Sequence, residues 1–158
     1  MKPWMYLLSY FRPNLFVNKI ENINLNIFKN SNLKIVLCDL DNTLAPHFTI
    51  FPTKTAIDFC KNIQDLGLKF IIVSNNSKKR VKLFAERLGV DDYLAKAHKP
   101  FIWKIKKFLA KYNVSPEEMI FIGDQFIFDI LTANRLQCRS ILTLPIISNA
   151  NEQQNSFF

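Results

Sequence analysis

Cysteine is scarce in this sequence, and its spacing excludes two classes of small protein. The three cysteines, Cys38, Cys60 and Cys138, include no CxxC pair. An odd number of widely separated cysteines argues against a disulfide framework and against a zinc site. We therefore expect three small buried side chains, in a protein of the reducing cytoplasm.

Long hydrophobic runs are also missing. No stretch approaches the ~20 apolar residues that a transmembrane helix needs. Residues 4–11 are apolar apart from Ser9, but Arg12-Pro13-Asn14 offers no small-residue cleavage site, so we expect no signal peptide. The chain has no internal repeat and no segment rich enough in linker residues to divide it, and its 158 residues fit one domain.

Acidic residues are the third shortage. The chain has 13 acidic and 21 basic residues, which gives a formal net charge of +8. Hydrophobic residues make up 49% of the chain and charged residues 22%, so it can bury a core and is not disordered. The positive surface favours anionic partners, whether phosphorylated metabolites, nucleic acid or acidic lipid.

From Leu33 onwards, apolar runs alternate with amphipathic stretches, which is typical of βαβ units. The pattern predicts strands at Leu33–Cys38, Lys69–Val73, Tyr93–Ala95, Met119–Ile122 and Ser140–Leu144. It predicts helices at Thr55–Leu66, Lys78–Leu88, Phe101–Tyr112 and Phe126–Leu136. The expected fold is α/β, a three-layer α/β/α doubly wound parallel sheet over residues 32–147. Residues 148–158 are expected to form a flexible polar tail.

Residues 1–31 are expected to form an N-terminal helical extension. Trp4, Leu7, Leu8 and Phe11 share one helical face, and Pro13 interrupts it. Two alternatives remain open for this segment: a helix packed on the domain, or an amphipathic segment that rests on a membrane surface.

The strongest chemical signal follows the first predicted strand, which ends in Asp39-Leu40-Asp41-Asn42-Thr43. Ligands of open α/β sheets bind beyond the carboxyl ends of the strands. Alternation along an extended chain puts Asp39 and Asp41 on the same side, where they repel unless a cation or a proton lies between them. The segment predicts a Mg²⁺ site with a carboxylate nucleophile. The alternative is a solvated Asp-Asn turn.

Two later segments carry groups that suit an anion. The hydroxyl of Ser74 and the amides that follow it can hold phosphate oxygens, or can simply cap the next helix. Lys99 precedes Pro100 at the start of a predicted helix, where the helix dipole disfavours a cation unless it faces anions.

The fourth predicted strand, Met119–Ile122, is followed by Gly123-Asp124-Gln125, and Asp129 lies five residues after Asp124. Asp124 is placed to join Asp39 on a metal ion. Asp129 falls in the following helix, where it can support that cluster or pair with Lys99.

Together these segments resemble the four motifs of the haloacid dehalogenase superfamily of phosphatases, between Leu33 and Pro145. The motifs are Asp39-Leu40-Asp41-Asn42-Thr43, Ser74, Lys99, and Gly123-Asp124 with Asp129. More narrowly, the chain resembles the YqeG group, which includes mitochondrial phosphatidylglycerophosphate phosphatases. The segments that carry this resemblance are Asp39–Leu44, Val73–Asn76 with Arg80-Val81, Lys99-Pro100, Gly123–Gln125 and Asn134-Arg135.

The resemblance implies a Mg²⁺-dependent phosphomonoester hydrolase. Asp39 would form an aspartyl-phosphate, with Asp41 as general acid–base. The implied metal ligands are Asp39, the backbone carbonyl of Asp41, and Asp124. The implied phosphate contacts are Thr43, Ser74, Asn75 and Lys99. The implied supporting residues are Asn42, Gln125 and Asp129.

The short spacing from Thr43 to the next helix, and from Ser74 to Lys99, leaves no room for a cap domain. A capless site is open to bulky substrates. The resemblance makes phosphatidylglycerophosphate the expected substrate, converted to phosphatidylglycerol. The protein would be cytoplasmic, with residues 1–28 in peripheral contact with the inner face of an anionic membrane.

Two alternatives stay open for the function. One is a phosphatase of the same superfamily that acts on a nucleic-acid end or a soluble phosphate ester. The other is a non-catalytic RNA- or ribosome-associated protein that uses the net charge of +8. Aromatic residues interleaved with lysine would favour nucleic acid. Phe101-Ile102-Trp103-Lys104 has that pattern, but we expect it to belong to the core.

Overall fold

A computed structural model of the chain describes residues 2–29 and 31–147, so the predicted polar tail at 148–158 lies outside the described residues. The described strands are β1 (Leu15–Val17), β2 (Ile35–Cys38), β3 (Lys69–Val73), β4 (Asp92–Leu94), β5 (Met119–Gly123) and β6 (Arg139–Thr143). All their pairings are parallel, in the order β1-β6-β5-β2-β3-β4. The predicted parallel α/β fold is confirmed.

Helices cover both faces of this sheet. The α-helices are α1 (Pro3–Ser9), α2 (Asn26–Lys29), α3 (Lys54–Asp65), α4 (Lys78–Leu88), α5 (Trp103–Leu109) and α6 (Leu131–Arg135). Successive side chains of a strand point to opposite faces of the sheet, so alternate residues of each strand belong to two separate hydrophobic cores. One core holds α3 and α4 against Val36 and Cys38, and the other holds α5 and α6 against Ile35 and Leu37.

The centre of the sheet explains where the site lies. Strand β2 pairs with β3 on one side and with β5 on the other. The chain therefore reverses its direction of progress across the sheet at β2, and such a switch point opens a crevice at the carboxyl ends of the strands. All four residues of β2 are buried, as expected for a central parallel strand. Within residues 31–147, no second domain is inserted after β2 or β3.

The predicted helical extension needs a correction. Leu15–Val17 is the edge strand β1, in register with Ile141–Thr143 of β6. The side chain of Asn14 fixes this pairing, because its Oδ1 accepts the backbone N–H of Ser140 at 2.8 Å. Strand β1 covers the open edge of β6, whose N–H and C=O groups would otherwise lack partners on that side. Ile20, Ile23 and Phe28 are buried, so most of the segment belongs to the domain.

Helix α1 is the exception within this segment. It buries none of its seven residues, and Trp4, Leu7 and Leu8 are all more than half exposed. The side chains of Pro3–Ser9 therefore do not enter the core, although Asn134 Nδ2 donates to the carbonyl of Tyr10 at 2.6 Å, directly after the helix. Across residues 2–29 and 31–147, we find no helix with the length and apolar character needed to cross a bilayer.

The helix predicted at Phe126–Leu136 is also irregular. Its first part, Phe126–Ile130, is a π-helix, in which the N–H of Ile130 donates to the carbonyl of Gln125. Helix α6 begins only at Leu131. Single-turn π-helices are rare and occur frequently at functional sites. Here the wide turn directs the side chain of Asp129 back under Gly123, as described below.

Candidate active site

A cleft of about 440 Å³ lies at the carboxyl ends of β2, β3 and β5. The ends of these strands and the loops that follow them supply its walls. The lining residues are Asp39, Asp41, Asn42, His47, Ser74, Asn75, Asn76, Lys99, Gln125, Phe128 and Asp129. All the predicted site residues except Thr43 and Asp124 line this cleft, and those two are hydrogen-bonded to each other.

A buried lysine lies between two buried carboxylates at the base of the cleft. The Nζ of Lys99 lies 2.8 Å from Asp39 Oδ1 and 2.7 Å from Asp129 Oδ1. The Lys99 side chain is only 2% exposed. A buried ammonium is stable only when its charge is paired, so Lys99 depends on these two partners. Their attraction raises the pKa of Lys99 above its usual value although burial lowers it, so the lysine stays protonated.

Asp129 is held by both of its carboxylate oxygens. While Oδ1 contacts Lys99, Oδ2 accepts the backbone N–H of Asp124 at 3.1 Å and that of Gln125 at 3.0 Å. The close approach requires a glycine at 123, because an added Cβ there would overlap the side-chain carbons of Asp129. The loop after β5 is thereby fixed around one carboxylate.

Thr43 joins the first motif to the last one. Its hydroxyl lies 3.0 Å from Asp124 Oδ1 and 3.3 Å from Asp39 Oδ2, and the residue is buried. The predicted role of Thr43 as a phosphate contact is not supported by this position, because its hydroxyl is directed at two carboxylates behind the cleft. A threonine four residues after Asp39 can make this contact because the loop turns back at Asn42, whose φ is +62°.

The acidic groups carry unusual proton affinities. Burial raises the pKa of Asp39 to about 6, although the attraction of Lys99 lowers it. Burial likewise raises the pKa of Asp129 to about 6 and raises the pKa of Asp124 above its usual value. Three buried carboxylates share a single lysine, so the cluster has an excess of negative charge that a proton or a cation must offset.

The donor set fits a hard cation. One carboxylate oxygen from each of Asp39, Asp124 and Asp129 can be chosen so that the three atoms lie within 4.8 Å of one another. Oxygen ligands are those that Mg²⁺ and Ca²⁺ prefer. Asp129 is the least available of the three, because Lys99 and two N–H groups already use its oxygens. Asp39 and Asp124 are therefore the better candidates for metal ligands.

The carboxylate of Asp41 faces a different set of partners. Arg80 donates to Asp41 Oδ1 from Nε at 3.0 Å and from Nη2 at 2.5 Å, and Asn76 Nδ2 donates to Oδ2 at 2.9 Å. A third Arg80 nitrogen, Nη1, donates to the carbonyl of Thr49 at 2.6 Å. Arg80 and Asp41 are 14% and 15% exposed at their side chains, so the pair is well shielded from water.

The sequence analysis assigns no site role to Arg80 or Asn76, although both lie in segments that carry the YqeG resemblance. Nothing in the local pattern of Arg80 shows a partner 39 residues earlier. The N-cap of α4 is the sequence feature that could have placed Arg80 near the site. Because Ser77 caps the helix by accepting the N–H of Arg80, residue 80 lies in the first turn, next to the end of β2.

The residues after β3 position other groups as well as lining the cleft. Asn75 makes two hydrogen bonds to the backbone of Lys99, accepting its N–H at 2.7 Å and donating to its carbonyl at 3.0 Å. Asn75 thus holds Lys99 in place. Ser74 is buried, and its hydroxyl accepts the N–H of Asn76 at 3.1 Å. The Ser74 hydroxyl proton remains available to a ligand in the cleft.

Asn42 and Gln125 both line the cleft. Asn42 Oδ1 accepts the backbone N–H of His47 at 3.1 Å, which closes the loop after the first motif. Gln125 lines the cleft with an exposed side chain, while its backbone N–H is bound to Asp129. The supporting roles of Asn42 and Gln125 stay predictions.

One sequence expectation about this edge is wrong. Phe101 and Trp103 were expected in the core, but they are 63% and 62% exposed. Phe101 lies between Lys99 and α5, and Trp103 is the first residue of α5. Periodicity alone suggested a core face because Ile102, Ile105 and Leu109 do pack inwards.

Comparison with known proteins identifies related sequences. Residues 47–137 match the family of haloacid dehalogenase-like hydrolases. The chain is also 35% identical over 143 residues to the "Probable phosphatase YqeG" of Bacillus subtilis strain 168. That alignment covers 90% of this chain and 83% of the relative.

Solved structures show the same fold at lower identity. An uncharacterized protein from Listeria monocytogenes serotype 4b superposes with a TM-score of 0.59 at 19% identity, over 75% of this chain and 84% of that one. The cobalt-bound deoxy-D-mannose-octulosonate 8-phosphate phosphatase of Haemophilus influenzae gives 0.58 at 16% identity, over 71% and 68%. At these identities the likeness concerns the fold alone.

Proposed function

We propose that this chain, which belongs to the haloacid dehalogenase-like hydrolases, is a Mg²⁺-dependent phosphomonoester hydrolase with Asp39 as its nucleophile. It is a phosphatase, and its substrate is therefore a phosphate ester. The observation that carries the proposal is the buried Asp39–Lys99–Asp129 cluster at the base of an open cleft. This membership argues against the alternative of a non-catalytic RNA-binding protein.

Asp39 would attack the phosphorus atom with a carboxylate oxygen. The bond between phosphorus and the leaving oxygen breaks, and Asp41 gives that oxygen a proton. Asp41 then takes a proton from water, whose oxygen attacks the aspartyl-phosphate and releases inorganic phosphate. The route replaces one difficult displacement by two easier ones.

Lys99 and Ser74 would bind the phosphoryl oxygens. Phosphoryl transfer depends mainly on positioning and on electrostatic stabilisation of the transferred group. Lys99 is protonated and held on both sides, so it needs no reorganisation to meet an anion. Asn75, first expected to contact phosphate, would instead act by holding the Lys99 backbone.

Asp39 and Asp124 would hold the Mg²⁺ ion, together with the Asp41 backbone carbonyl that the family resemblance implies. A bound Mg²⁺ would neutralise the excess negative charge of the cluster and of the substrate phosphate. Thr43 would orient both carboxylates through its bridging hydroxyl. Asp129 would hold the Lys99 ammonium in position and fix the loop after β5 through the N–H groups of Asp124 and Gln125.

We propose phosphatidylglycerophosphate as the substrate, with the protein in the cytoplasm at the inner face of the membrane. The open cleft and the basic character of the chain support a charged, bulky substrate. Within the described part of residues 1–28, only α1 is free for the proposed membrane contact, because β1 and the buried Ile20 belong to the domain. Helix α1 precedes β1 and therefore lies at the amino ends of the strands, away from the cleft. The exposed Phe101 and Trp103 keep a phosphorylated nucleic-acid end as a second candidate.

The test is phosphate release with and without Mg²⁺. The panel comprises phosphatidylglycerophosphate, soluble phosphate esters, and oligonucleotides phosphorylated at the 5′ or 3′ end. Rapid release from the lipid alone would support the proposed substrate. Release only from the other compounds would overturn it while leaving the phosphatase chemistry intact. The variant Asp39→Asn serves as the control, and any turnover by it would contradict the proposed nucleophile.

A further inference from the structure

We propose that an apolar rim around the cleft docks the enzyme directly on an anionic lipid surface, an inference that rests on the proposed function. The rim consists of Phe48, Phe51, Phe101, Trp103, Phe126 and Ile127. These side chains are between 52% and 79% exposed. Exposed apolar groups gathered on one side of a protein are typical of interaction sites.

The sheet places the rim residues together. Phe48 and Phe51 follow β2, Phe101 and Trp103 follow β4, and Phe126 follows β5. The three strands are parallel, so the segments that leave their carboxyl ends emerge at one edge of the sheet. The cleft opens at that edge, and Phe128, one residue beyond Ile127, lines it.

The first rim segment is held with the Phe48 ring directed outwards. Arg80 Nη1 donates to the carbonyl of Thr49 at 2.6 Å, and Arg87 Nη1 donates to that of Ile50 at 2.7 Å. The Arg87 guanidinium also lies 4.0 Å from the centre of the Phe51 ring. Two arginines from α4 therefore fix the backbone of this loop, while Phe48 remains 79% exposed. The Phe48 ring is therefore exposed because the folded loop holds it there.

The rim is surrounded by positive charge of the sign that anionic lipid requires. Segments 46–54, 75–80, 95–104 and 125–128 contain no acidic residue. Outside the cleft they carry exposed Lys78, Lys79 and Lys96, whereas the ammonium of Lys54 is paired with Asp58. Aromatic side chains beside lysine are typical of surfaces that rest in the headgroup region of a bilayer. Each such lysine attracts an acidic membrane surface with an effect of about fivefold in affinity.

The aliphatic members of this edge favour lipid over nucleic acid. Ile127 in the segment after β5 and Ile50 in the segment after β2 are 55% and 47% exposed. Neither has an aromatic face on which a base can stack, whereas both can enter the acyl boundary. A second copy of the chain would bring the same positive segments together, and their charges would repel. A lipid surface satisfies the apolar and the basic groups at once.

The test measures binding of the full chain to vesicles in the absence of turnover. The Asp39→Asn variant is sedimented with phosphatidylcholine vesicles that contain phosphatidylglycerol, and with phosphatidylcholine alone. We expect binding to the anionic vesicles, reduced at least about tenfold by Phe48→Ser combined with Phe101→Ser and Ile127→Ser. The matched control is Phe16→Ser in strand β1, which removes an aromatic ring of similar exposure (51%) away from the rim.

Charge is tested by a second pair of variants. Lys78→Glu with Lys79→Glu should weaken binding to anionic vesicles much more than Lys106→Glu with Lys107→Glu, which makes the same change of charge on the body of α5. Equal losses from both pairs would show only a general effect of net charge and would overturn docking through the rim.

The remaining outcomes also decide the proposal. Absence of vesicle binding, or loss of binding from Leu7→Ser with Leu8→Ser in α1 but not from the rim variant, would overturn it. So would a rim effect seen only with oligonucleotides, or a rim-dependent dimer in solution. Hydrolysis of a soluble aryl phosphate by otherwise wild-type rim variants tests the fold and chemistry separately. Vesicle binding without hydrolysis of phosphatidylglycerophosphate would refute the substrate and leave the docking surface standing.

Discussion

Arg80→Gln should damage the hydrolysis of alkyl phosphates much more than that of aryl phosphates. Arg80 gives two hydrogen bonds to Asp41 Oδ1 and a third to the carbonyl of Thr49. It does not line the cleft, so its proposed role is to position Asp41 for proton transfer. An alkyl leaving oxygen needs that proton, whereas a nitrophenyl group departs as a stabilised anion and needs it far less.

The expected size follows from the contacts. A hydrogen bond between charged groups contributes about 1.5–3 kcal/mol when it is shielded from water. Both side chains of the pair are only about 15% exposed, so little of this is lost to solvent screening. At 1.36 kcal/mol for each factor of ten, the loss of orientation should lower kcat for an alkyl ester by about 10- to 100-fold. Asn76 still holds the other Asp41 oxygen, so the full effect of general acid catalysis should not be lost.

The assay compares kcat and KM for p-nitrophenyl phosphate with those for the best alkyl ester of the substrate panel. Arg87→Gln is the matched control, because Arg87 donates to the neighbouring loop carbonyl of Ile50 but makes no contact with Asp41. We expect the alkyl rate alone to fall in Arg80→Gln, and neither rate to fall strongly in Arg87→Gln. Equal losses for both esters in Arg80→Gln, or the same selective loss in Arg87→Gln, would refute the positioning role.

Three further predictions concern the buried cluster. Gly123→Ala should destabilise the fold by about 1–3 kcal/mol and lower activity, because the new methyl group displaces Asp129; unchanged melting and turnover would contradict this contact. Mg²⁺ should raise the melting temperature above about pH 6 and lose this effect as the pH falls through about 6. The reason is that the Asp39 pKa is raised to about 6 and the metal needs the carboxylate; an equal shift at pH 5 and 8 would argue against Asp39 as a ligand. Asp39→Asn should abolish turnover yet keep the circular dichroism spectrum of the wild type, and a loss of folded structure would mean that the carboxylate is needed for stability.

Local pattern was sufficient for the central strands and the helices beside them. The predicted bounds of Lys69–Val73 and Lys78–Leu88 agree with the structure. The reason is that both elements have a strong period and clear ends, with Ser77 as N-cap and Gly89, at φ +78°, as C-cap. Asp39, Ser74, Lys99 and Asp124 converge for a similar reason: each follows a strand end, and parallel strands end at one edge.

Features that depend on distant partners were not accessible to this reasoning. Leu15–Val17 is too short and too polar in its surroundings to indicate a strand, and it becomes one only because β6 offers a free edge. The apolar period between residues 101 and 112 is real, but only the packing of α5 shows that the side chains of Phe101 and Trp103 stay out of the core.

The sequence by itself determined the parallel α/β fold and the identity of the charged groups at its strand ends, because both are written in local periodicity and local residue type. The tertiary structure alone decided how these groups are paired. It placed Asp129 beneath Gly123 through a π-helical turn, joined Arg80 to Asp41, and turned the aromatic groups of three loops outwards. Such pairings depend on side-chain geometry across strands, and a one-dimensional pattern carries no information about that geometry.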